Sequence, residues 1–345
     1  MAKKSKYYQR KDGLFESIKT INGKRVAFRG KTCREVDRKI LEYQEAKDKG
    51  RKVSALIDAW ELDKEKSVSV STWRCYQNNL KDIREYFDGK YVVDVKPIDC
   101  VRMLDGMASK GYKSGTVSIR KSMLKQIFRY AVIHGDIDVS PAAEVTLPRH
   151  LPKNTRDSLT AEQIDAVLKF RGGDWWLMGI AFLLTGCRRG ELMALRYEDI
   201  DRKNKTIRID KKYSYATGHA VLENHLKSEA GTRTVPLLPA LEELLPKDRI
   251  GLIFHNEDGK PLEEFQINKA WAEYRAALNL PREVTPHWLR HTYATMCRDA
   301  GVDIKTAAGL LGHSNESLTA AVYTHRSDRH EKQQLEKLER FVASL

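Results

Sequence analysis

The sequence predicts a multi-domain, mainly α protein with small β elements, an α+β chain. Three observations lead there. Apolar residues recur at three- to four-residue spacing through most of the middle and the C-terminal half. β-prone runs are confined to the N-terminal head and to one insert near residues 205–237. An aperiodic segment with two prolines, "LPRHLPKNTRDSL", stands between two helical regions and reads as a linker. At 345 residues, 41% apolar and 31% charged, the chain has room for two or three domains with real cores.

The first element is a basic head, residues 1–52. It holds 17 Lys/Arg against 7 Asp/Glu, most of the net charge of +14. A basic module on a globular body points to nucleic acid, although charge alone also fits a solubilising tail. The pattern argues for folded structure. Leu14–Ile21 and Lys24–Arg29 are β-prone runs joined by Asn22-Gly23, the dipeptide of a type I′ hairpin. Thr32 and Glu35 then have capping-box spacing, and Val36, Ile40 and Tyr43 lie on one helical face. Candidate DNA-binding residues here are Lys24, Arg25, Arg29 and Lys31.

Residues 53–148 read as a compact domain of four or five helices. Trp73, Tyr76, Leu80, Ile83 and Phe87 form a core stripe, and Gly111 and Gly135 are helix stops. Arg74, Arg120 and Lys121 are further candidate DNA-binding residues, facing either DNA or solvent. After the linker (149–157), the last domain (158–345) opens with Thr160 as cap and Gln163 three residues on. It is mostly helical, with strands expected at "KTIRID" and "TRTVPL" around a turn-rich stretch.

Other classes recede. There is no run of about 18 apolar residues and no apolar segment near Met1, so neither a membrane span nor a signal peptide is expected. Five scattered cysteines without a C-x-x-C pair suit a reduced cytoplasmic compartment, with neither disulfide framework nor zinc site.

Three stretches of the last domain are dense in groups that bind phosphate. In "LLTGCRRGELMAL", Arg188 and Glu191 lie one helical turn apart. In "TPHWLRHTYAT", His287 and Arg290 have i, i+3 spacing. In "LLGHSNESLTAAVYTHRS", His313 precedes Tyr323 by ten residues. Singly each has an ordinary reading: a solvated arginine, a half-buried histidine, a packed tyrosine. Together, Thr185-Gly186-Cys187-Arg188-Arg189-Gly190-Glu191-Leu192, His287-Trp288-Leu289-Arg290-His291-Thr292, Leu311-Gly312-His313 and Tyr323 resemble the tyrosine recombinase (phage integrase) family in order and spacing. The middle segment resembles that family's core-site-binding domain in size and position. The head resembles, by pattern only, the three-stranded sheet and helix of its arm-site-binding domain.

The resemblance implies a site-specific DNA recombinase that integrates and excises a phage or conjugative element. Tyr323 would be the nucleophile, forming a 3′-phosphotyrosine. Arg188 and Arg290 would grip the phosphate, His287 would take the phenolic proton, and His313 would donate a hydrogen bond. Lys227 would protonate the leaving 5′-oxygen, with Lys211 and Lys212 as less favoured candidates. Glu191 would orient the site, and Arg189 is left as a surface or DNA-backbone residue. Neither metal nor nucleotide is expected, because arginines supply the charge and the phosphotyrosine holds the bond energy. The implied partners are double-stranded DNA with core and arm attachment sites, three further copies in a tetramer on DNA (a monomer when free), an excisionase and a host DNA-bending protein. The implied location is the bacterial cytoplasm, on the nucleoid when bound. The stripe Leu335, Leu338 and Phe341 or Val342 suggests a tail helix, which could pack on its own domain; the resemblance implies that it docks on a neighbouring protomer. Two alternatives stay open: a type IB topoisomerase-like enzyme, and a DNA-binding regulator without catalysis.

Overall fold

The computed structural model describes residues 6–21, 24–152, 158–224, 231–313, 320 and 323. The chain divides into two compact units, residues 1–154 and 155–345.

The first unit begins with an antiparallel sheet of order β1-β2-β3: β1 (Tyr8–Gln9), β2 (Phe15–Ile21) and β3 (Lys24–Gly30). The Asn22-Gly23 turn lies outside the described residues. Helix α1 (Cys33–Lys49) backs the sheet. Period-two alternation sends Val26 and Phe28 inward, where Phe28, Val36 and Ile40 form a small core. Tyr43, expected on that stripe, stays half exposed but sets its ring edge-on to Phe28 at 5.4 Å. The register pairs Glu16 with Arg29 and Thr20 with Arg25, so both arginines share the open face with Tyr8 and Ile18. Arg29 is tied to Glu16 at 2.6 Å, and Arg10 reaches the same carboxylate at 2.9 Å. Arg25 and Lys31 are exposed.

Helices α2 (Val53–Glu65), α3 (Val70–Tyr86), α4 (Pro97–Ser109) and α5 (Ser114–Ile133) follow. Their core includes Leu56, Leu80, Ile83, Phe87, Leu104 and Phe128. Gly111 and Gly135 take φ of +78° and +73° just after α4 and α5, the left-handed stop that glycine adopts without a Cβ penalty. One candidate DNA-binding residue is redirected. Arg120 puts Nε and Nη2 on Asp82 at 2.9 and 2.7 Å and ties α5 to α3, so its fork is occupied and largely buried. Arg74 is exposed on α3, and Lys121 is half-buried.

The second unit contains α6 (Ala161–Lys169), α7 (Trp176–Thr185) and α8 (Arg189–Met193). Next come β4 (Ile200–Asp201), β5 (Thr206–Ile209), β6 (Lys212–Ser214), β7 (Val221–Glu223) and β8 (Arg233–Pro236). Helices α9 (Pro239–Glu242), α10 (Glu264–Ala277), α11 (Pro286–Asp299) and α12 (Ile304–Leu311) follow. The Thr160/Gln163 box forms as expected, with reciprocal bonds of 3.3 and 3.0 Å. Strands β4-β5-β8 make an antiparallel sheet; β6 and β7 pair as a separate ribbon within the stretch expected to be turn-rich. Helix α7 is apolar all round and forms the middle of the core, packed against α11. No helix among the described residues is long and apolar enough to cross a membrane.

Candidate active site

The site is built from helix ends. Helix α7 stops at Gly186, whose φ is +62°, and a Cβ there would lie 2.5 Å from the Tyr293 ring. Both the left-handed conformation and that close approach demand glycine. The Thr185 hydroxyl closes the turn by donating to the Ala181 carbonyl at 2.6 Å and accepting from the Cys187 N–H at 3.3 Å. The chain then extends through Arg188 and re-enters helix at α8. Glu191, three residues on, accepts the Arg188 backbone N–H at 2.9 Å. Gly190 is needed for packing: a Cβ on it would meet the Tyr213 carbonyl oxygen at 2.2 Å.

Glu191 is 2% exposed and anchors the cluster. Oε1 accepts from Arg188 Nη1 at 2.7 Å, Oε2 accepts from Arg233 Nη2 at 2.8 Å, and Arg290 Nη1 lies 4.0 Å away. Burial alone would raise the carboxyl; the Arg233 bond and charge, with Arg188, outweigh it and hold it down at about 2.

The same three arginines grip one helix end. Arg233 Nε donates to the Leu310 carbonyl at 2.7 Å, Arg290 Nη2 to Leu311, and Arg188 Nη2 to Gly312 at 2.9 Å. Three successive carbonyls at the C-terminus of α12, which would otherwise lack partners, therefore each take one guanidinium. Arg290 also donates to the Gly186 carbonyl at 2.8 Å. Burial first, then the Arg188 charge, pull Arg290 down to about 9, so it remains a cation at neutral pH. Arg290 is 2% exposed, whereas the Arg188 side chain is 43% exposed and offers its outer edge to a ligand.

His287 is exposed on the first turn of α11, one turn before buried Arg290; their shared face runs from solvent into the cluster. His313 follows Gly312, which ends α12 at φ +63°, and its N–H donates to the Ala308 carbonyl at 3.0 Å. Burial, then the charges of Arg290, Arg188 and Arg233, lower its imidazole to about 4, so at neutral pH it is a neutral hydrogen-bond donor. Arg188, Glu191, Arg290 and His313 thus come together, with His287 close enough for its charge to bear on His313.

Tyr323 is held apart from them. It packs in a small cluster with Tyr293, Cys297, Ala307 and Leu311, and its hydroxyl donates to the Val302 carbonyl at 2.9 Å. Burial, then Cys297 and Asp303, raise the phenol to about 12. Lys227 lies outside the described residues. Of the other lysines, Lys211 pairs with Asp199 at 2.6 Å and Lys212 with Glu223 at 2.9 Å. Arg189 is bound to Glu264 at 2.8 Å and stacks over Tyr215.

Arg233 was not foreseen. Its signal was an arginine at an inward position of an alternating strand: Thr232 and Thr234 are exposed, Arg233 and Val235 buried.

Comparison with known proteins agrees with the geometry. The profile of the Phage integrase family matches residues 158–330, and that of the Phage integrase N-terminal SAM-like domain matches residues 57–135. The Tyrosine recombinase XerC-like protein of Caldanaerobacter subterraneus subsp. tengcongensis is 27% identical over 94% of this chain and 95% of its own length. Among solved structures, the Tn1549 transposon integrase in complex with transposon right end DNA superposes at TM-score 0.70 and 23% identity, covering 84% of this chain and 100% of that one. A lambda integrase tetramer bound to a Holliday junction superposes at TM-score 0.61 and 21% identity, covering 91% of this chain and 96% of that one.

Proposed function

The chain belongs to the phage integrase family and is a tyrosine-type site-specific DNA recombinase; from that premise we propose how its residues divide the work. A DNA phosphodiester sits against the exposed edge of Arg188, with Arg290 behind it and His313 donating to a non-bridging oxygen. Planar guanidinium forks match phosphate oxygens and stay charged, so they stabilise the charge that gathers there in the transition state. The Tyr323 oxygen forms a bond to phosphorus as the bond to the 5′-oxygen breaks. The phenolic proton passes to His287, and the leaving 5′-oxygen takes a proton from Lys227. The 3′-phosphotyrosine keeps the bond energy, and attack by another 5′-hydroxyl reverses the step on a new strand.

The observation that carries this reading is the convergence of Arg188, Arg290 and His313 around buried Glu191, with cationic surface left open at Arg188. Phosphate binding would complete an electrostatic arrangement that is otherwise one-sided. Three domains are assigned: 1–52 for arm-type DNA, 53–148 for core-site DNA, and 158–345 for catalysis. Of the head's candidate residues, Arg25, Arg29 and Lys31 are exposed and would meet phosphates, Arg29 already paired with Glu16, with Lys24 beside them in sequence. Four copies would act together on DNA, as in the lambda integrase tetramer on a Holliday junction. The element served is a phage or transposon, and an excisionase and a DNA-bending protein would set direction.

Tyr323→Phe tests the centre of the proposal. The variant should bind attachment-site DNA as wild type does and form no covalent adduct on a denaturing gel. An adduct from that variant would remove Tyr323 from its role.

A further inference from the structure

We propose that Arg233 is a positioning residue of the strand-transfer site: it locks Glu191 to the C-terminus of α12 and so holds Arg188 and Arg290 at the spacing a phosphate needs. The inference deepens the function proposed above and rests on it. The Arg233 side chain is only 5% exposed, so it does not offer itself to DNA. All three of its nitrogens are occupied, by Leu310 at 2.7 Å, Gly231 at 3.2 Å and Glu191 at 2.8 Å. Those partners belong to three separate parts of the unit: the end of α12, the entry to β8, and the start of α8. Each active arginine uses the same two anchors. Arg188 bonds Glu191 and Gly312, while Arg290 bonds Leu311 and lies 4.0 Å from Glu191. Arg233 therefore closes a ring of which Arg188 and Arg290 are the working members.

The alternatives fit less well. A catalytic role would need an open face, which Arg233 lacks. A purely structural ion pair would need one carboxylate; Arg233 instead spreads its fork over a carboxylate and two carbonyls, which lysine cannot reproduce from a single nitrogen. Without it, the Glu191 carboxylate loses the bond to Oε2 from β8, and the α12 end loses its tie to that strand.

The test is a double-mutant cycle between Arg233→Lys and Glu191→Gln, read as single-turnover adduct formation on a core-site duplex taken from the DNA junctions of the chain's own element. Arg233→Met is run in parallel, and Val235→Ala, a buried neighbour with no bond to the cluster, sets the effect of plain destabilisation at matched melting temperature. Affinity for the duplex is measured for each. Arg233→Lys should lose about 10- to 100-fold in adduct rate, by analogy with outer-shell partners that orient metal ligands, with affinity within about threefold. Combined with Glu191→Gln, it should lose little beyond the larger single loss, because both act through one ring. Multiplied losses, losses equal to those of Val235→Ala, or wild-type rates in both Arg233 variants would each overturn the proposal. A wild-type chain that forms no adduct overturns the strand-transfer reading itself; an active wild type with multiplied losses sinks Arg233 alone.

Discussion

Glu191→Gln should destabilise the second unit in a pH-dependent way whose size follows from the site. The carboxylate is 1% exposed, accepts hydrogen bonds from two arginine side chains and one backbone N–H, and is held at about 2 against an ordinary 4.5. At ~1.4 kcal/mol per pH unit, that gap corresponds to roughly 3 kcal/mol favouring the charged form in the folded state. A folded value below the unfolded one means the unfolded chain binds the extra proton. The contribution is therefore complete above about pH 4.5 and fades as pH falls towards 2. Glutamine keeps the shape and removes the charge, leaving three guanidiniums to repel. The variant should be less stable by about 3 kcal/mol at pH 7, within the range for breaking a buried pair. Urea unfolding of the full chain, followed on the transition of the second unit from pH 7 to pH 3, measures it. The difference should shrink below pH 4.5, because wild type then loses what the variant already lacks. A variant within about 1 kcal/mol of wild type at pH 7 would refute the reasoning, since so small a loss is ordinary for surface changes. So would a gap that stays constant with pH.

Three further outcomes follow from single interactions. Gly190→Ala should cost about 1–3 kcal/mol in unfolding experiments, because the new methyl meets the Tyr213 carbonyl at 2.2 Å and β6 must shift; unchanged stability would show that the ribbon yields freely. The His313 ring should titrate near 4 in an NMR pH series on the free protein, so it stays neutral through the range where an ordinary histidine gains its proton; a midpoint near 6.5 would contradict the assigned surroundings. Arg25→Gln with Lys31→Gln should lower the salt slope of arm-type DNA binding by about one for each phosphate that is no longer neutralised, while Arg120→Gln should leave that slope unchanged and lower stability instead, because its fork is occupied by Asp82.

Much of this was legible because the residues concerned sit at rigid junctions. Arg188 and Glu191 were legible as neighbours, and Glu191 does reach back to Arg188, although the stop at Gly186 and the restart at α8 were not foreseen. The i, i+3 spacing of His287 and Arg290 specified one face, though not that it would run from solvent to full burial. The stops at Gly111 and Gly135 and the cap at Thr160 followed from local chemistry alone. What escaped depended on partners distant in sequence. Arg120 read as a free cation because Asp82 lies 38 residues earlier. Arg233 read as part of a strand because its partners, Glu191 and Leu310, lie 42 and 77 residues away. The β6–β7 ribbon was hidden by short strands in a turn-rich stretch, where three-residue runs carry little periodicity.

Electrostatics set the arginine cluster and Tyr323 apart. Three guanidiniums, those of Arg233 and Arg290 buried and that of Arg188 partly open, face one full negative charge at Glu191, plus about half a charge at the C-terminus of α12. That leaves roughly one and a half positive charges uncompensated, close to what a phosphodiester brings. A phosphate placed there would bring that balance closer to neutral. Tyr323 lies in the opposite field. Burial first, then Cys297 and Asp303, hold its phenol up at about 12, and its proton lies on the Val302 carbonyl, so it is protonated at pH 7. Moving the same oxygen from Val302 to the arginines would exchange groups that disfavour phenolate for groups that favour it. On the mechanism proposed above, position would decide whether Tyr323 is a packed side chain or a reagent, and release from the Val302 carbonyl would precede attack.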